Sequence, residues 1–126
     1  MTTIQENSNL ARANEQNLVI SISSDTMGKG EEELGKILMK AFIHSLTELT
    51  NTPKILIFFN SGARLTSCES NTIDDLKTLE KKGTEVLTCG TCIDYYNLKE
   101  KLAVGIITNM YTIVEKMASA DKIVNV

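Results

Sequence analysis

Tryptophan is absent from this 126-residue sequence, and aromatic side chains account for only 5% of it. A base-stacking platform for single-stranded nucleic acid is therefore poorly supplied. Positive charge is scarce too: 13 Lys and Arg stand against 16 Asp and Glu, for a net charge of −3. Nucleic acid and anionic membranes both call for a cationic surface, so neither is expected as a partner. No run approaches the roughly eighteen apolar residues that span a bilayer. Residues 1–17, rich in Asn, Gln, Thr and Glu, lack the apolar stretch of a secretory signal. Three cysteines do not make a disulfide framework, which leaves a reducing, cytoplasmic setting as the default. What is present, 42% apolar and 23% charged residues, describes a soluble globular chain of one-domain length.

Residues 1–17 read as a flexible leader or a linker remnant, too polar and aperiodic to bury anything, and residues 18–126 as one domain. Leu18 to Ile22 is a short apolar run with β-branched content and no helical period, hence a strand. Turn formers from Ser23 to Gly30 follow it. Glu31, Glu32 and Glu33 then suit the first turn of a helix, facing its positive dipole end. Leu34, Ile37, Leu38, Ala41, Phe42, Leu46 and Leu49 recur at three- and four-residue steps and predict a long amphipathic helix. Lys54 to Phe59 forms a second strand after the only proline, Pro53, and Asn60-Ser61-Gly62 is a turn signature. A second helix carries Ile73, Leu76 and Leu79 and stops at Gly83. Glu85 to Thr88 is a third strand running into Cys89-Gly90-Thr91-Cys92. A short helical stretch near Ile93 to Leu98 comes next, and the apolar segment Leu102 to Ile107 reads as a fourth strand. Thr108 or Asn109 caps a last helix with Met110, Ile113, Val114 and Met117 inward, and Lys122 to Val126 closes the chain as a strand.

Strand and helix alternate throughout, so the expected class is α/β: a mostly parallel sheet of about five strands with helices on both faces. Ligands in such open sheets bind beyond the carboxyl ends of the strands, where the strand order reverses. With the first and third strands as neighbours there, the Ser23–Gly30 loop and the cysteine turn face each other across a crevice. Ser24, Asp25, Met27 and Gly28 line it from one side, and Asn60, Ser61 and Gly62 reach its edge. Gly90 and Thr91 come from the cysteine turn, with Tyr95 and Asn109 at the margins.

The cysteine turn carries the most chemistry. A thiol where a strand meets a helix lies near unpaired backbone N–H groups, which favour the nucleophilic thiolate. The plain alternative is a pair of inert small apolar residues. Three functional readings compete. A thiol–disulfide oxidoreductase fits the CxxC spacing, but the motif follows the third strand and the sole proline lies far upstream. Zinc needs four ligands, and the remaining candidates, Cys68 and His44, do not fall at ligand spacing, so neither a metal nor another cofactor is expected. Transfer of sulfur or selenium through a persulfide needs one reactive, accessible cysteine and fits the inferred geometry. A non-catalytic module holding a small ligand or a partner's tail stays open beside these. Gly28-Lys29-Gly30 lacks the ending of a phosphate loop, and Asp25 serves most simply to cap its local turn.

Four segments in register add a resemblance: Ser-Ser-Asp-Thr-Met-Gly-Lys-Gly-Glu-Glu-Glu-Leu-Gly (23–35), Asn-Ser-Gly (60–62), Cys-Gly-Thr-Cys-Ile-Asp-Tyr-Tyr (89–96) and Val-Gly-Ile-Ile-Thr-Asn-Met-Tyr (104–111). Over about residues 18–118 the chain resembles the C-terminal, DsrE-like domain of the YedF family, sulfurtransferase-like proteins of selenium metabolism. The resemblance implies a DsrE-like three-layer sandwich that assembles into homo-oligomers. It also implies that a cysteine after the third strand carries a persulfide, a position that matches Cys89 better than Cys92. Cys92 then supports or resolves. Full-length family members carry a TusA-like domain with a Cys-Pro motif ahead of this one. That motif is not found here, and residues 1–17 resemble only the linker that follows it. A TusA-like sulfur carrier is accordingly the expected outside partner.

Overall fold

The structure is a computed structural model that describes residues 16–126. The reading of residues 1–17 as a leader falls outside them, apart from Gln16 and Asn17. Asn17 is tied down: its backbone N–H donates to Asp121 Oδ2 at 2.8 Å and its side-chain amide to the Ser119 carbonyl at 3.0 Å.

Five strands form one parallel sheet: β1 (Leu18–Ile22), β2 (Ile55–Phe58), β3 (Glu85–Cys89), β4 (Ile106–Thr108) and β5 (Lys122–Asn125). Four α-helices connect them: α1 (Glu32–Thr47), α2 (Ile73–Lys81), α3 (Gly90–Tyr95) and α4 (Met110–Ala118). The strand order is β4-β3-β2-β1-β5. Chain progress runs from β1 to β4 in one direction, then α4 returns the chain to the far side of β1. Helices therefore cover both faces, as the alternation of elements implies.

Strand side chains alternate between the two faces at the period of two that a pleated strand imposes. Ile20, Ile22, Leu56, Phe58 and Val86 join Met39, Ile43 and Leu46 of α1 and Leu76 and Leu79 of α2 in the larger core. Val19, Ile55, Ile57, Leu87 and Cys89 meet Ile113 of α4 in the smaller one. The central strand β2 reads as a continuous apolar run because it is buried on both faces.

Four expectations change here. The first and third strands are not neighbours: β2 lies between them, and the order reverses between β1 and β5. That reversal point is occupied by the chain's own C-terminus, since Ser23 N–H donates to the Val126 carbonyl and Val126 N–H to that of Ser21. Helix α1 buries Gly35, Met39, Ile43, Leu46 and Thr47, while Leu34, Ile37 and Leu38 are exposed. The helix carries two apolar stripes, and the buried one begins at a glycine. A Cβ on Gly35 would stand 2.7 Å from Thr26 Cβ, so the missing side chain is what lets the Ser23–Gly30 loop fold against the helix. Helix α4 buries only Ile113 fully, leaving Met110 and Val114 outside. The fourth strand is shortened to Ile106–Thr108. Gly105 precedes it at φ +76°, and Leu102 instead bridges antiparallel to Ser67.

Candidate functional site: a thiol pair at the carboxyl edge

All five strands point the same way, so the loops after β1, β2, β3 and β4 share one edge of the sheet in the order of the strands. The turn after β2 is thereby set between the cysteine turn and the Ser23–Gly30 loop. Residues Asn60–Thr66 wind into a 3₁₀ helix rather than an open turn. Gly62 packs its backbone against the end of β1, where a Cβ would meet the Ile22 carbonyl oxygen at 2.3 Å. Asn60 enters this turn at φ +51°, a left-handed conformation that Asn tolerates better than most residues. Its backbone N–H then points away from the sheet ladder and donates to Cys92 Sγ at 3.0 Å.

Burial separates the two cysteines. Cys89 ends β3, opens α3 as its N-cap without a side-chain capping bond, and is 3% exposed against the smaller core. Cys92, one turn on, is half-buried and forms the outer sulfur of the pair. Both thiols are free. Burial pushes the Cys92 thiol up from its ordinary value; the Asn60 amide opposes the rise and the adjoining Cys89 thiol adds to it. The thiolate-favouring effect expected of a strand-to-helix junction is thus outweighed at Cys92, because α3 has only six residues and the sulfur gains one amide while losing water. A raised pKa means that less of this thiol is ionised at neutral pH than of a free cysteine. Alkylation of Cys92 is expected to go on accelerating with pH beyond the point where a free cysteine levels off, because its thiol is pushed up by burial. A rate already level below pH 7.5, measured with iodoacetamide by mass spectrometry, would contradict that.

The remaining expected site residues divide. Ser61 Oγ accepts from Asp25 N–H at 3.2 Å, joining the first and second loops, and Ser24 Oγ lies 3.0 Å from Thr26 Oγ1. Met27 packs on the larger core, and Gly28 stands at φ +79° in open space. Gly90 lies against β4, where a Cβ would be 3.1 Å from Ile107 Cγ2. Thr91 is exposed, and Asn109 is spent on its helix, accepting from Thr112 N–H at 2.8 Å as the N-cap of α4. Tyr95 projects outward at 79% exposure. Its neighbour Tyr96 is the one turned to the site: its hydroxyl donates to Asn60 Oδ1 at 3.3 Å, and its ring carries the Arg64 guanidinium at 4.4 Å. Arg64 in turn reaches Asp25 at 3.5 Å. Neither Arg64 nor this chain of contacts is signalled by spacing, since a lone arginine in a turn looks like solvated surface. His44 pairs with Asp75 between α1 and α2, and Cys68 is exposed on a separate loop. Among the described residues no three His, Cys, Asp or Glu side chains are grouped to hold a metal ion.

A small parallel α/β sandwich with two free thiols at the carboxyl edge of its third strand is the class that fold and site define. The chain belongs to the DsrE/DsrF-like family, whose model matches residues 40–126. Two solved structures share its fold: the ychN protein from E. coli, at 16% identity and a TM-score of 0.65, and MTH1491 from Methanobacterium thermoautotrophicum, a protein of unknown function, at 14% and 0.65. Each comparison covers 89% of this chain and 100% of the other. No curated protein sequence matches the chain.

Proposed function

We propose that the chain is a sulfur- or selenium-relay domain of the YedF type that carries a persulfide at the Cys89–Cys92 turn. The observation that supports this reading is the half-buried Cys92 sulfur, held by the Asn60 amide beside a second free thiol, in a DsrE/DsrF-like chain. Sequence position favours Cys89 as carrier; burial favours entry through Cys92, because an incoming donor must reach the sulfur it loads. In the loading step the Cys92 thiolate attacks the sulfane sulfur of a hydropersulfide donor. The donor's S–S bond breaks and its thiolate leaves. In the delivery step an acceptor thiolate attacks the terminal sulfur, and the Cys92 thiolate departs with the bonding pair. A TusA-like protein suits the acceptor role. Cys89, directly behind, can instead displace hydrosulfide and close a Cys89–Cys92 disulfide, which discharges the carrier.

Loading is tested by intact mass after incubation with a low-molecular-weight hydropersulfide. A gain of one sulfur atom that dithiothreitol removes is the expected result. A loss of two hydrogens with no adduct would mean dithiol oxidation instead. A reducing compartment such as the cytoplasm keeps both thiols available for this chemistry. No helix among the described residues is long and apolar enough to cross a membrane.

Self-association belongs to the same proposal. Ile106 and Ile107 on the edge strand β4, with Met110, Tyr111 and Val114 on α4, are each at least 44% exposed. Exposed apolar side chains in such number mark interaction surfaces. A second copy is the proposed occupant, seated on β4 and α4. Light scattering is expected to give a multiple of the chain mass, and Val114→Lys a monomer; a wild-type monomer at high micromolar concentration contradicts the assembly.

A further inference from the structure

Away from the thiols, a cavity of about 520 Å3 opens between α1, the Asn60–Thr66 turn and the segment from Tyr96 to Lys101. That volume lies in the range of sites for small organic ligands. Its lining has two parts. Met39, Leu65 and Leu98, all under 8% exposed, contribute apolar wall, together with Tyr96. Lys36, Lys40, Arg64 and Lys101 contribute four cations against only two carboxylates, Asp25 and Glu69, in a chain whose net charge is −3.

The cations are not equally neutralised. Lys101 is tightly paired with Glu69 at 2.7 Å and Lys36 with Glu32 at 3.1 Å. Lys40 donates to a neutral acceptor, the Asn71 carbonyl, at 2.9 Å, a bond that fixes its position without cancelling its charge. Arg64 is seated on the Tyr96 ring at 4.4 Å and touches Asp25 only at 3.5 Å, so most of its guanidinium N–H groups point elsewhere. Two positioned, under-compensated cations thus stand at the mouth of an apolar recess.

We infer that this cavity binds an amphipathic organic anion, its acidic head between Arg64 and Lys40 and its apolar body over Met39, Leu65 and Leu98. The head is a carboxylate, sulfonate or phosphate monoester; the recess selects against anions that lack an apolar body. Arg64 provides the planar donor fork and Lys40 the point charge. The inference goes beyond sulfur relay and stands without it.

Naphthoate is a suitable probe, followed by amide chemical shifts on the full chain at low salt, with naphthalenemethanol as the neutral counterpart and inorganic phosphate as the anion without a body. Saturable shifts are expected at Ser67, Asn71 and Leu98. Affinity should fall about tenfold or more in Arg64→Gln and in Lys40→Gln, as loss of a charge-assisted hydrogen bond implies. Naphthalenemethanol should bind at least about tenfold more weakly than naphthoate, and phosphate should not saturate. Both substituted residues are exposed, so each variant checks the other should one fold poorly. Equal binding of the neutral counterpart would overturn the inference. So would shifts centred on Ile107 and Val114, which would place the probe on the exposed apolar surface.

Discussion

Cys92→Ser is expected to lower loading of the Cys89–Cys92 turn by a hydropersulfide donor more than about a hundredfold, because a hydroxyl cannot replace the thiolate as nucleophile. Cys89→Ser is expected to load at close to the wild-type rate and to hold its persulfide longer, since the thiol that would displace hydrosulfide is gone. The asymmetry follows from burial: Cys89 is 3% exposed against Leu87 and Ile113, while Cys92 faces outward and accepts the Asn60 amide. Cys68→Ser should change neither rate, as Cys68 lies on a separate loop beside Lys101. Quantifying the persulfide by intact mass over time separates the three variants. Loading by Cys92→Ser at the wild-type rate would reverse the roles of the two thiols.

Gly62→Ala is expected to cost the fold about 2–3 kcal/mol, the upper part of the range for overpacking a tight site. The added methyl would stand 2.3 Å from the Ile22 carbonyl oxygen and 3.1 Å from its carbon, both backbone atoms at the buried end of β1. That carbonyl already accepts from Phe59 N–H at 3.1 Å, so relief by moving Ile22 breaks the join between β1 and the turn after β2. Gly83→Ala provides the control: it meets nothing within 4 Å and bears only the cost of its φ of +103°. Urea midpoints at constant m-value are expected to fall clearly further for Gly62→Ala than for Gly83→Ala. The site should respond as well, since Asn60 is two residues from Gly62 and displacement removes its amide from Cys92. Equal midpoints for the two variants would show that the close approach at Gly62 is not a constraint.

The elements of the fold are legible in the sequence because local pattern encodes them. Segments at Leu18–Ile22 and Glu85–Thr88 bounded by turn formers read as strands, and of the two candidate caps, Thr108 and Asn109, it is Asn109 that accepts from Thr112 N–H. Strand order is not local, and no residue pattern places β2 between β1 and β3. Face selection on α1 is equally hidden. Leu34, Ile37, Leu38 and Ala41 form the more conspicuous stripe, yet Gly35, Met39 and Ile43 turn inward, and a glycine gives no hydrophobic signal at a position where it is packed.

At the site, the CxxC spacing names the reactive turn but not which thiol meets solvent. That depends on β3 pointing Cys89 to the face covered by α4 and on the left-handed turn of Asn60. Adjacent tyrosines divide similarly. Tyr96 contacts Asn60 and Arg64 while Tyr95 faces outward, a choice set by the short helix α3 beginning at Gly90 rather than at Ile93.

Fragment-ion mass spectrometry of the wild-type protein, loaded with a hydropersulfide and trapped by alkylation, locates the added sulfur among the three cysteines. Sulfur on Cys92 is the predicted result. Sulfur confined to Cys68, or an unmodified Cys89–Cys92 turn under conditions that load a free thiol, would contradict the proposal that this turn is the carrier.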